Sequence, residues 1–181
     1  MFPPDETQRQ RALERYEILD TDAEFAFDDL TRLASLVCQT PISLITLIDR
    51  DRQWFKSRVG LDLTETPRDV SFCNHVVVNR SPLEVGDAAH DPRFEANPYV
   101  LGHPGIRFYA GVPLRTPDDF YLGTICVLDT QPRTISNSQR QALNTIAEQV
   151  MAQLELKLRN RQLESGYDRL TRANHRLDQF T

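Results

Sequence analysis

Two pairs of apolar segments, each pair joined by a short polar stretch, constrain the fold of this chain more than any other feature. The first pair is PISLITLIDR and QWFKSRVG, and the second is IRFYAGVPLR and YLGTICVLDT. Such runs, rich in β-branched and aromatic residues and bounded by turn residues, predict two β-hairpins. PISLITLIDR is almost continuously apolar, which is typical of a strand covered on both faces. The polar segment LDLTETPRD, which contains Pro67, is predicted to be a loop.

Helical segments lie before, between and after the two hairpins. Residues 7–19 are predicted to form a short amphipathic helix, and a second helix with apolar residues at steps of three and four reaches about Cys38. Ser71 can cap a further helix that runs through about Asn79. Antiparallel hairpins with helices packed on them indicate the α+β class. No strand is followed by a glycine-rich phosphate loop, which excludes the P-loop and dinucleotide-binding folds.

The last helix combines two patterns. Ser136 and Gln139 form a capping box that predicts its start, and no strong helix breaker follows before Thr181. In its second half, leucines recur every seven residues, the spacing of a coiled-coil d position. The complete seam is Leu156, Asn160, Leu163, Tyr167, Leu170, Asn174 and Leu177. Asparagine at the a position pairs with itself in a parallel two-stranded coil, so the seam predicts a homodimer through the C-terminal helix. A lone surface helix is the alternative.

Composition and charge exclude several classes of protein. The chain has 40% hydrophobic and 26% charged residues, as in globular proteins, and its net charge of −5 gives no reason to expect nucleic-acid binding. No apolar run approaches the roughly 20 residues needed to span a bilayer, and the start MFPPDETQRQR lacks the apolar core of a signal peptide. We therefore expect a cytoplasmic protein without a transmembrane segment. Cys38, Cys73 and Cys126 form no CxxC pair, so we expect buried, inert thiols and no metal site.

Seven segments, taken in order, carry a family resemblance. They are ILDT, FDDLTRLA, PISLITLIDRDRQWFKSRVGL, ETPRDVSFCNHVV, DAAHDPRFEANPYV, GIRFYAGVPL and LGTICVLD. Over roughly residues 13–158 the chain resembles the GAF family of small-molecule sensory domains, of the type found at the N-terminus of bacterial sensor histidine kinases and diguanylate cyclases. The resemblance implies a central antiparallel sheet of five or six strands, with helices on one side and a ligand pocket under loops on the other.

The same resemblance implies a division of the chain. An N-terminal helix (1–20) precedes a GAF domain (21–155), and a coiled-coil linker (156–181) leads to an output domain outside this chain. The final segment ANHRLDQFT is similar to the region before the phosphoacceptor histidine in the dimerisation helix of histidine kinases. We therefore expect a small-molecule sensor, without catalysis of its own, that regulates a C-terminal histidine kinase through a dimeric helix.

Three alternatives to that function are open. The output domain could be a diguanylate cyclase. The chain could be a redox enzyme of this fold, similar to free methionine sulfoxide reductase, although the surroundings of its three cysteines do not match that enzyme. It could also be a purely structural dimerisation module, which a pocket filled by side chains would favour.

The resemblance places SFCNH on a helix that borders the ligand pocket, under the long loop AHDPRFEANPYVLGHPG. The candidate pocket residues are Phe72, Cys73, His75, Phe94, Asn97, Tyr99, Phe108 and Tyr109. Cys73 and His75 are two residues apart on a helix, so their side chains diverge by about 200°. A nucleophile–base pair is therefore disfavoured, and both residues are expected to be structural or to line the pocket.

The ligand itself is unknown, and three ligands that the family resemblance suggests are disfavoured. Bilin-binding relatives commonly carry a cysteine directly followed by histidine, whereas Asn74 separates Cys73 from His75. The segment RFEANPY lacks the acidic and lysine signature of cyclic-nucleotide binding. Haem ligation by His75, His90 or His103 has no support in the sequence pattern.

Overall fold

Six strands form a single antiparallel sheet in the computed structural model, which describes residues 1–178. The strands are β1 (Ile42–Ile48), β2 (Arg52–Val59), β3 (Glu65–Pro67), β4 (Leu83–Val85), β5 (Phe108–Arg115) and β6 (Tyr121–Asp129). Their order across the sheet is β3–β2–β1–β6–β5–β4. The helices are α1 (Glu6–Arg15), α2 (Phe25–Cys38), α3 (Phe72–Asn79), α4 (Pro98–Leu101) and α5 (Asn137–Asp178). The predicted α+β architecture with two hairpins, β1–β2 and β5–β6, is confirmed.

The sheet is the middle of three layers. Its first face packs against α1, α2 and α5, where Ile45, Ile125 and Val127 belong to one buried cluster with apolar residues of these helices. Its second face packs against α3 and the loops around α4, and there Leu44 and Leu128 lie. All seven residues of β1 are buried, as its nearly continuous apolar sequence predicted, because both faces of this central strand are covered.

The structure differs from the predicted elements in two places. The predicted loop LDLTETPRD contains β3, which pairs with β2 through Gln53 and Thr66. Pro67 is tolerated there because it ends an edge strand, where its missing amide proton costs no ladder hydrogen bond. α1 ends at Arg15 rather than at residue 19, and the backbone of Glu17 and Asp20 then adopts positive φ angles of 48° and 60°.

α5 begins on the sheet and continues far beyond it. The capping box is formed as predicted: Ser136 Oγ accepts from the amide of Gln139 (3.2 Å), and Gln139 Oε1 accepts from the amide of Ser136 (2.9 Å). The 42 residues of the helix correspond to a length of about 63 Å. Its sheet-facing stripe is buried and consists of Leu143, Ile146, Ala147, Val150 and Leu154. The leucines of the seam are exposed, by 52% at Leu156 and 71% at Leu163.

Membrane-spanning segments are absent from the described part of the chain. Over residues 1–178, no helix is both long enough and apolar enough to cross a bilayer.

A buried ion cluster fastens α1 to the turn between β1 and β2. Glu6 pairs with Arg9 and with Arg68, whose side chains are only 1% and 4% exposed. The two guanidinium groups also donate to the carbonyl oxygens of Ile48 (2.7 Å) and Asp49 (2.9 Å). Burial acts to raise the pKa of Glu6, but the hydrogen bonds from Arg9 and Arg68 outweigh it and lower this pKa to about 2. The carboxylate therefore stays charged at neutral pH and holds both cations in place.

Gly123 allows the two central strands to pair closely. A Cβ atom at this position would lie 1.8 Å from the carbonyl oxygen of Thr46 and 2.8 Å from Cα of Leu47. Both contacts are with the backbone of β1, so no rotation of a neighbouring side chain could relieve them. A side chain at position 123 therefore requires β1 and β6 to separate.

We expect Gly123→Ala to lower the free energy of unfolding by at least about 2 kcal/mol, because the added methyl group overpacks the centre of the sheet. Gly166→Ala is the matched control, since a Cβ at this position of α5 has no atom within 4 Å. Alanine is also the better helix former, so the control should not destabilise the protein. Urea unfolding measures both variants, and equal stability of the two would contradict the close approach of β1 and β6.

Candidate ligand site

A small cavity lies between the second face of the sheet and α3. Its volume is about 40 Å³. Leu44, Phe55 and Leu128 form the floor, and Phe72 and Cys73 of α3 form one wall. The floor residues alternate along their strands with residues that face the helices, since successive side chains of a strand point to opposite faces. Because most of the lining residues are apolar, the site is apolar over most of its surface.

Two loops cover the cavity. The loop after β2 contributes Leu61 and Leu63, and the region around α4 contributes Tyr99, Pro104 and Ile106. Leu63 is 39% exposed, whereas Ile106 is buried, so the loop after β2 is the more solvent-exposed part of the cover. Entry of a ligand would require movement at this side of the cavity.

One end of the cavity is polar and internally hydrogen-bonded. Ser71 Oγ caps α3 by accepting from the amide of Asn74 (3.1 Å), and its hydroxyl donates to Gln53 Oε1 (2.5 Å). Gln53 Nε2 in turn donates to Thr66 Oγ1 (3.1 Å). These four residues are buried, and the side chains of Ser71, Gln53 and Thr66 bond one another. Arg68 donates a hydrogen bond to Asn74 Oδ1 (2.9 Å) and also pairs with Glu6. The charge of this arginine therefore already has partners within the protein.

A cluster of sulfur and hydroxyl atoms lies beside the floor of the cavity. Cys73 Sγ accepts hydrogen bonds from the hydroxyl groups of Tyr109 (3.1 Å) and Thr124 (3.2 Å). It also lies 3.8 Å from Cys126 Sγ on β6. Thr124 Oγ1 is 2.9 Å from Oγ1 of Thr46, its neighbour on β1. All five residues are buried, so the cluster is a polar patch enclosed in an apolar layer.

Hydrogen bonding distinguishes Cys73 from the other two cysteines. Burial raises the pKa of Cys38 to about 11 and raises that of Cys126 well above its usual value. Burial acts in the same direction at Cys73, but hydrogen bonds from Cys126, Thr124 and Tyr109 outweigh it, and the pKa of Cys73 lies at about 7. The expectation of three inert thiols therefore fits Cys38 and Cys126 but not the surroundings of Cys73.

The structure brings half of the candidate pocket residues to the cavity. Phe72, Cys73, Tyr99 and Tyr109 line it. Phe108 lies on the opposite face of the sheet, where it packs in the core formed with the helices. The reason is the alternation of side chains along β5: because Tyr109 faces the cavity, its neighbour Phe108 faces away from it.

The remaining three candidates contact the residues that line the cavity or the loop that covers it. Phe94 stacks on Phe72 with ring centroids 4.1 Å apart, and the ring of His75 meets the edge of Phe94 at 4.9 Å. Asn97 caps α4 by accepting from the amide of Tyr99 (2.9 Å), and it donates to the carbonyl oxygen of Val70 (2.7 Å). These residues position the lining and the cover, and they have no direct contact with the cavity.

Several lining residues had no role in the sequence interpretation. Local sequence does not mark Gln53 and Thr66 as cavity residues, because the three-residue strand β3 that brings Thr66 to the cavity carries no strand pattern of its own. The segment YAG, residues 109–111, does contain a local feature that is related to the sulfur cluster. A Cβ at Gly111 would lie 2.1 Å from the hydroxyl of Tyr109, so glycine two residues after the tyrosine leaves space for that hydroxyl to reach Cys73.

The size of the cavity limits what it can hold in this conformation. At roughly 10–15 Å³ for each water, a volume of about 40 Å³ accommodates about three water molecules. A nucleotide or a tetrapyrrole would need the covering loops to move. Within residues 1–178, His, Cys, Asp and Glu side chains form no group of three that could hold a metal ion.

Comparison with known proteins shows relatives of this chain. The GAF domain model matches residues 22–154. A cyclic di-GMP phosphodiesterase of Pseudomonas aeruginosa is 42% identical over 154 residues, which make up 84% of this chain and 26% of that protein. The chain therefore spans about a quarter of the length of this relative.

Solved structures share the fold at low sequence identity. The GAF domain of an Acinetobacter phosphoenolpyruvate-protein phosphotransferase superimposes with a TM-score of 0.59 at 17% identity, covering 85% of this chain and 95% of that one. Free methionine-R-sulfoxide reductase of Neisseria meningitidis gives a TM-score of 0.58 at 16% identity, covering 85% and 92%. Since the family model extends over most of the chain and the fold agrees with it, the chain belongs to the GAF domain family.

Proposed function

We propose that this chain is the sensory module of a longer signalling protein, and that binding of a small, weakly polar molecule in the cavity is transmitted through α5 to a C-terminal output domain. One observation carries the proposal: a continuous set of contacts leads from the cavity floor to α5. Phe55 of β2 lies in the floor, and the next residue, Lys56, points to the helical side of the sheet.

The contact between β2 and α5 runs through one carboxylate. Lys56 is 1% exposed, and its Nζ lies 2.6 Å from Glu24 Oε2. The other carboxylate oxygen of Glu24 lies 2.7 Å from Nζ of Lys157 on α5. Burial acts to raise the pKa of Glu24, but hydrogen bonds from Lys157 and Lys56 outweigh it and keep this pKa below its usual value. The bridge is therefore charged at neutral pH, and a shift of β2 changes the position of Lys157.

A second contact holds the same part of α5. The hydroxyl of Tyr16, at the end of α1, donates to the carboxylate of Glu155. Arg161, six residues further along α5, donates to the carbonyl oxygen of Tyr16 (2.6 Å). The region from Glu155 to Arg161 is thus held by the segment between α1 and α2, at the point where α5 leaves the domain.

The proposal predicts that removal of the central carboxylate releases α5 locally. Glu24→Gln should make the amides of residues 155–165 exchange with deuterium several-fold faster, because Lys157 loses its partner and the buried Lys56 can no longer bind a charge. Glu148→Gln is the control, since Glu148 is an exposed carboxylate of the same helix. Exchange measured by mass spectrometry tests the expectation. Equal protection of residues 155–165 in both variants would remove the bridge from the signalling route.

A substitution that fills the cavity with a larger side chain tests whether a ligand binds there. The wild-type protein, purified from its own host, should carry a small molecule that native mass spectrometry detects. Leu44→Phe should lose that molecule because the larger side chain occupies the floor, whereas Leu44→Met nearly preserves the volume and should keep it. A molecule retained equally by Leu44→Phe would lie outside the cavity. Absence of any bound molecule, together with unchanged stability of Leu44→Phe, would instead favour a structural dimerisation module.

We further propose that the module is a parallel homodimer through the seam of α5. An exposed leucine stripe on a helix is unfavourable in water, and a second copy of the seam would cover it. Asn160 and Asn174 can pair with their copies, which favours two parallel strands. The last three residues of the predicted coil, 179–181, lie outside the described residues.

Sedimentation of the chain tests the dimer. We expect the intact chain to be dimeric, and a chain ending at Leu154 and the variant Leu163→Lys/Leu170→Lys to be monomeric, because each removes the apolar seam. Gln162→Lys/Ser165→Lys adds the same charge away from the seam and should stay dimeric. If the intact chain and the seam variant sediment alike, as monomers or as dimers, the seam is not the interface.

Two classes of output domain fit the module. A histidine kinase is supported by the segment ANHRLDQFT, and a parallel helical pair would deliver two chains side by side to a dimeric kinase. An enzyme of cyclic di-GMP metabolism is supported by the Pseudomonas aeruginosa phosphodiesterase, which is 42% identical to this chain, and it would also include the diguanylate cyclase alternative. Activity assays on the full-length parent protein distinguish the two classes. Transfer of phosphate from ATP to its own histidine supports the kinase, and turnover of cyclic di-GMP supports the second class.

Catalysis by the chain itself is not part of the proposal. The resemblance to free methionine-R-sulfoxide reductase is one of fold, at 16% identity. Free methionine sulfoxide is also larger than the three water molecules that the cavity admits. Reduction of free methionine sulfoxide by the purified chain would overturn this part of the proposal.

A further inference from the structure

The cavity wall contains two thiols that come from distant parts of the chain. Cys73 on α3 and Cys126 on β6 are 53 residues apart in sequence, and both line the cavity with their sulfur atoms 3.8 Å from each other. We propose that they form a dithiol that hydrogen peroxide, entering the cavity, oxidises to an intramolecular disulfide. The signalling effect of this reaction rests on the sensory function proposed above, whereas the reaction itself does not.

The two sulfur atoms are already close to van der Waals contact. A disulfide bond brings its sulfur atoms to about 2.05 Å, so the two thiols must approach by about 2 Å. α3 packs directly on this face of β6, and both side chains belong to the same buried cluster. No other cysteine is near, because Cys38 lies in the core on the opposite face of the sheet. The pairing is therefore determined by the fold.

The surroundings favour Cys73 as the attacking thiol. The hydroxyl groups of Tyr109 and Thr124 both point at its sulfur, and hydrogen bonds to a charged acceptor stabilise a buried thiolate. The pKa of Tyr109 is raised well above its usual value by burial, so its hydroxyl keeps its proton and remains a donor. These hydrogen bonds lower the pKa of Cys73 below that of an ordinary thiol, which favours the thiolate, and the thiolate is the nucleophilic form.

The size of the cavity limits which oxidants can reach the two sulfur atoms. Cys73 is 2% exposed and Cys126 is fully buried, so the cavity is the route to both sulfur atoms. Hydrogen peroxide has two oxygen atoms and fits a space that holds about three water molecules. A bulky disulfide oxidant such as oxidised glutathione does not fit. The cavity therefore favours a small peroxide over thiol–disulfide exchange.

The reaction balances with peroxide as the oxidant. The Cys73 thiolate attacks one oxygen of hydrogen peroxide, the S–O bond forms and the O–O bond breaks, and the hydroxide that leaves takes up a proton to become water. Cys126 then loses its proton and attacks the sulfur of the Cys73 sulfenic acid. The S–S bond forms, the S–O bond breaks, and the second oxygen leaves as water. Two thiols lose two electrons in total, and one peroxide is reduced to two waters.

Disulfide formation would alter the cavity wall. Once oxidised, the sulfur of Cys73 is a weaker acceptor, and the buried hydroxyl of Tyr109 loses the partner that it has in the reduced state. Tyr109 is stacked on Phe72 with ring centroids 5.1 Å apart, so rearrangement of the tyrosine also changes the start of α3. The oxidation state of the dithiol is thereby coupled to the shape of the site.

The test uses the complete chain, reduced and then freed of reductant. After treatment with hydrogen peroxide near neutral pH, peptide mass spectrometry under non-reducing conditions should find Cys73 linked to Cys126 and Cys38 free. Dithiothreitol should reverse the link, and Cys126→Ser should abolish it. Cys38→Ser is the matched control and should form the disulfide at the wild-type rate.

The role of the hydroxyl donor is tested separately. Tyr109→Phe should slow oxidation about fivefold at neutral pH and move the midpoint of its pH–rate profile upward by about one unit, because the thiolate loses a hydrogen bond. Tyr121→Phe is the control, since it removes the hydroxyl of a half-buried tyrosine of the same sheet that does not line the cavity, and it should leave rate and profile unchanged. An effect on packing alone would not move the midpoint.

Two results would overturn the dithiol. One is that Cys73 and Cys126 stay reduced in the native protein at a peroxide concentration that oxidises them in denaturant. The other is that sulfinic acid accumulates at Cys73 without a link to Cys126. A disulfide that forms without altering the deuterium exchange of residues 155–165 would support the dithiol and contradict the sensory coupling proposed above.

Discussion

The pairing of β1 with β6 is the contact on which the rest of the structure depends. Both strands are buried on both faces, so neither the helical layer nor the cavity can form unless this pair is in register. The close approach that Gly123 permits fixes the spacing of the pair. Leu44 and Ile45 are adjacent in β1, yet one forms the cavity floor and the other meets the helices. A displacement of this strand therefore reaches both layers at once.

Charges fix the helices around this core. In each of two places a single carboxylate lies between two cations: Glu6 between Arg9 and Arg68, and Glu24 between Lys56 and Lys157. Loss of either carboxylate would leave a buried cation without its charged partner, Arg9 and Arg68 in the first cluster and Lys56 in the second, which is far more costly than loss of an exposed pair. These ion pairs join specific positions of α1, α5 and the sheet, in addition to the apolar packing between them. They give the helices a defined position relative to the sheet.

Local patterns were sufficient to predict much of the fold, and contacts between distant residues explain the rest. The hairpins follow from apolar, β-branched runs bounded by turn residues, the capping box from Ser136 and Gln139, and the two faces of α5 from spacings of 3.6 and seven residues. β3 was missed because three residues carry no period, and only pairing with β2 defines the strand. Phe108 and Tyr109 were both assigned to the pocket, although adjacent strand residues point to opposite faces and the surrounding fold decides which one faces the cavity. The contact between Cys73 and Cys126 joins separate elements, so no local pattern encodes it.

The change of register within α5 has a consequence for assembly. The last residue of its buried stripe is Leu154 and the first of its seam is Leu156. A step of two residues turns a helix by about 200°, so the seam lies across the helix axis from the sheet. A helix that packs on the seam approaches from the outer side and displaces nothing in the domain. Two domains assembled in this way would lie on the outer sides of the paired helices, and neither domain would need to contact the loops that cover its neighbour's cavity.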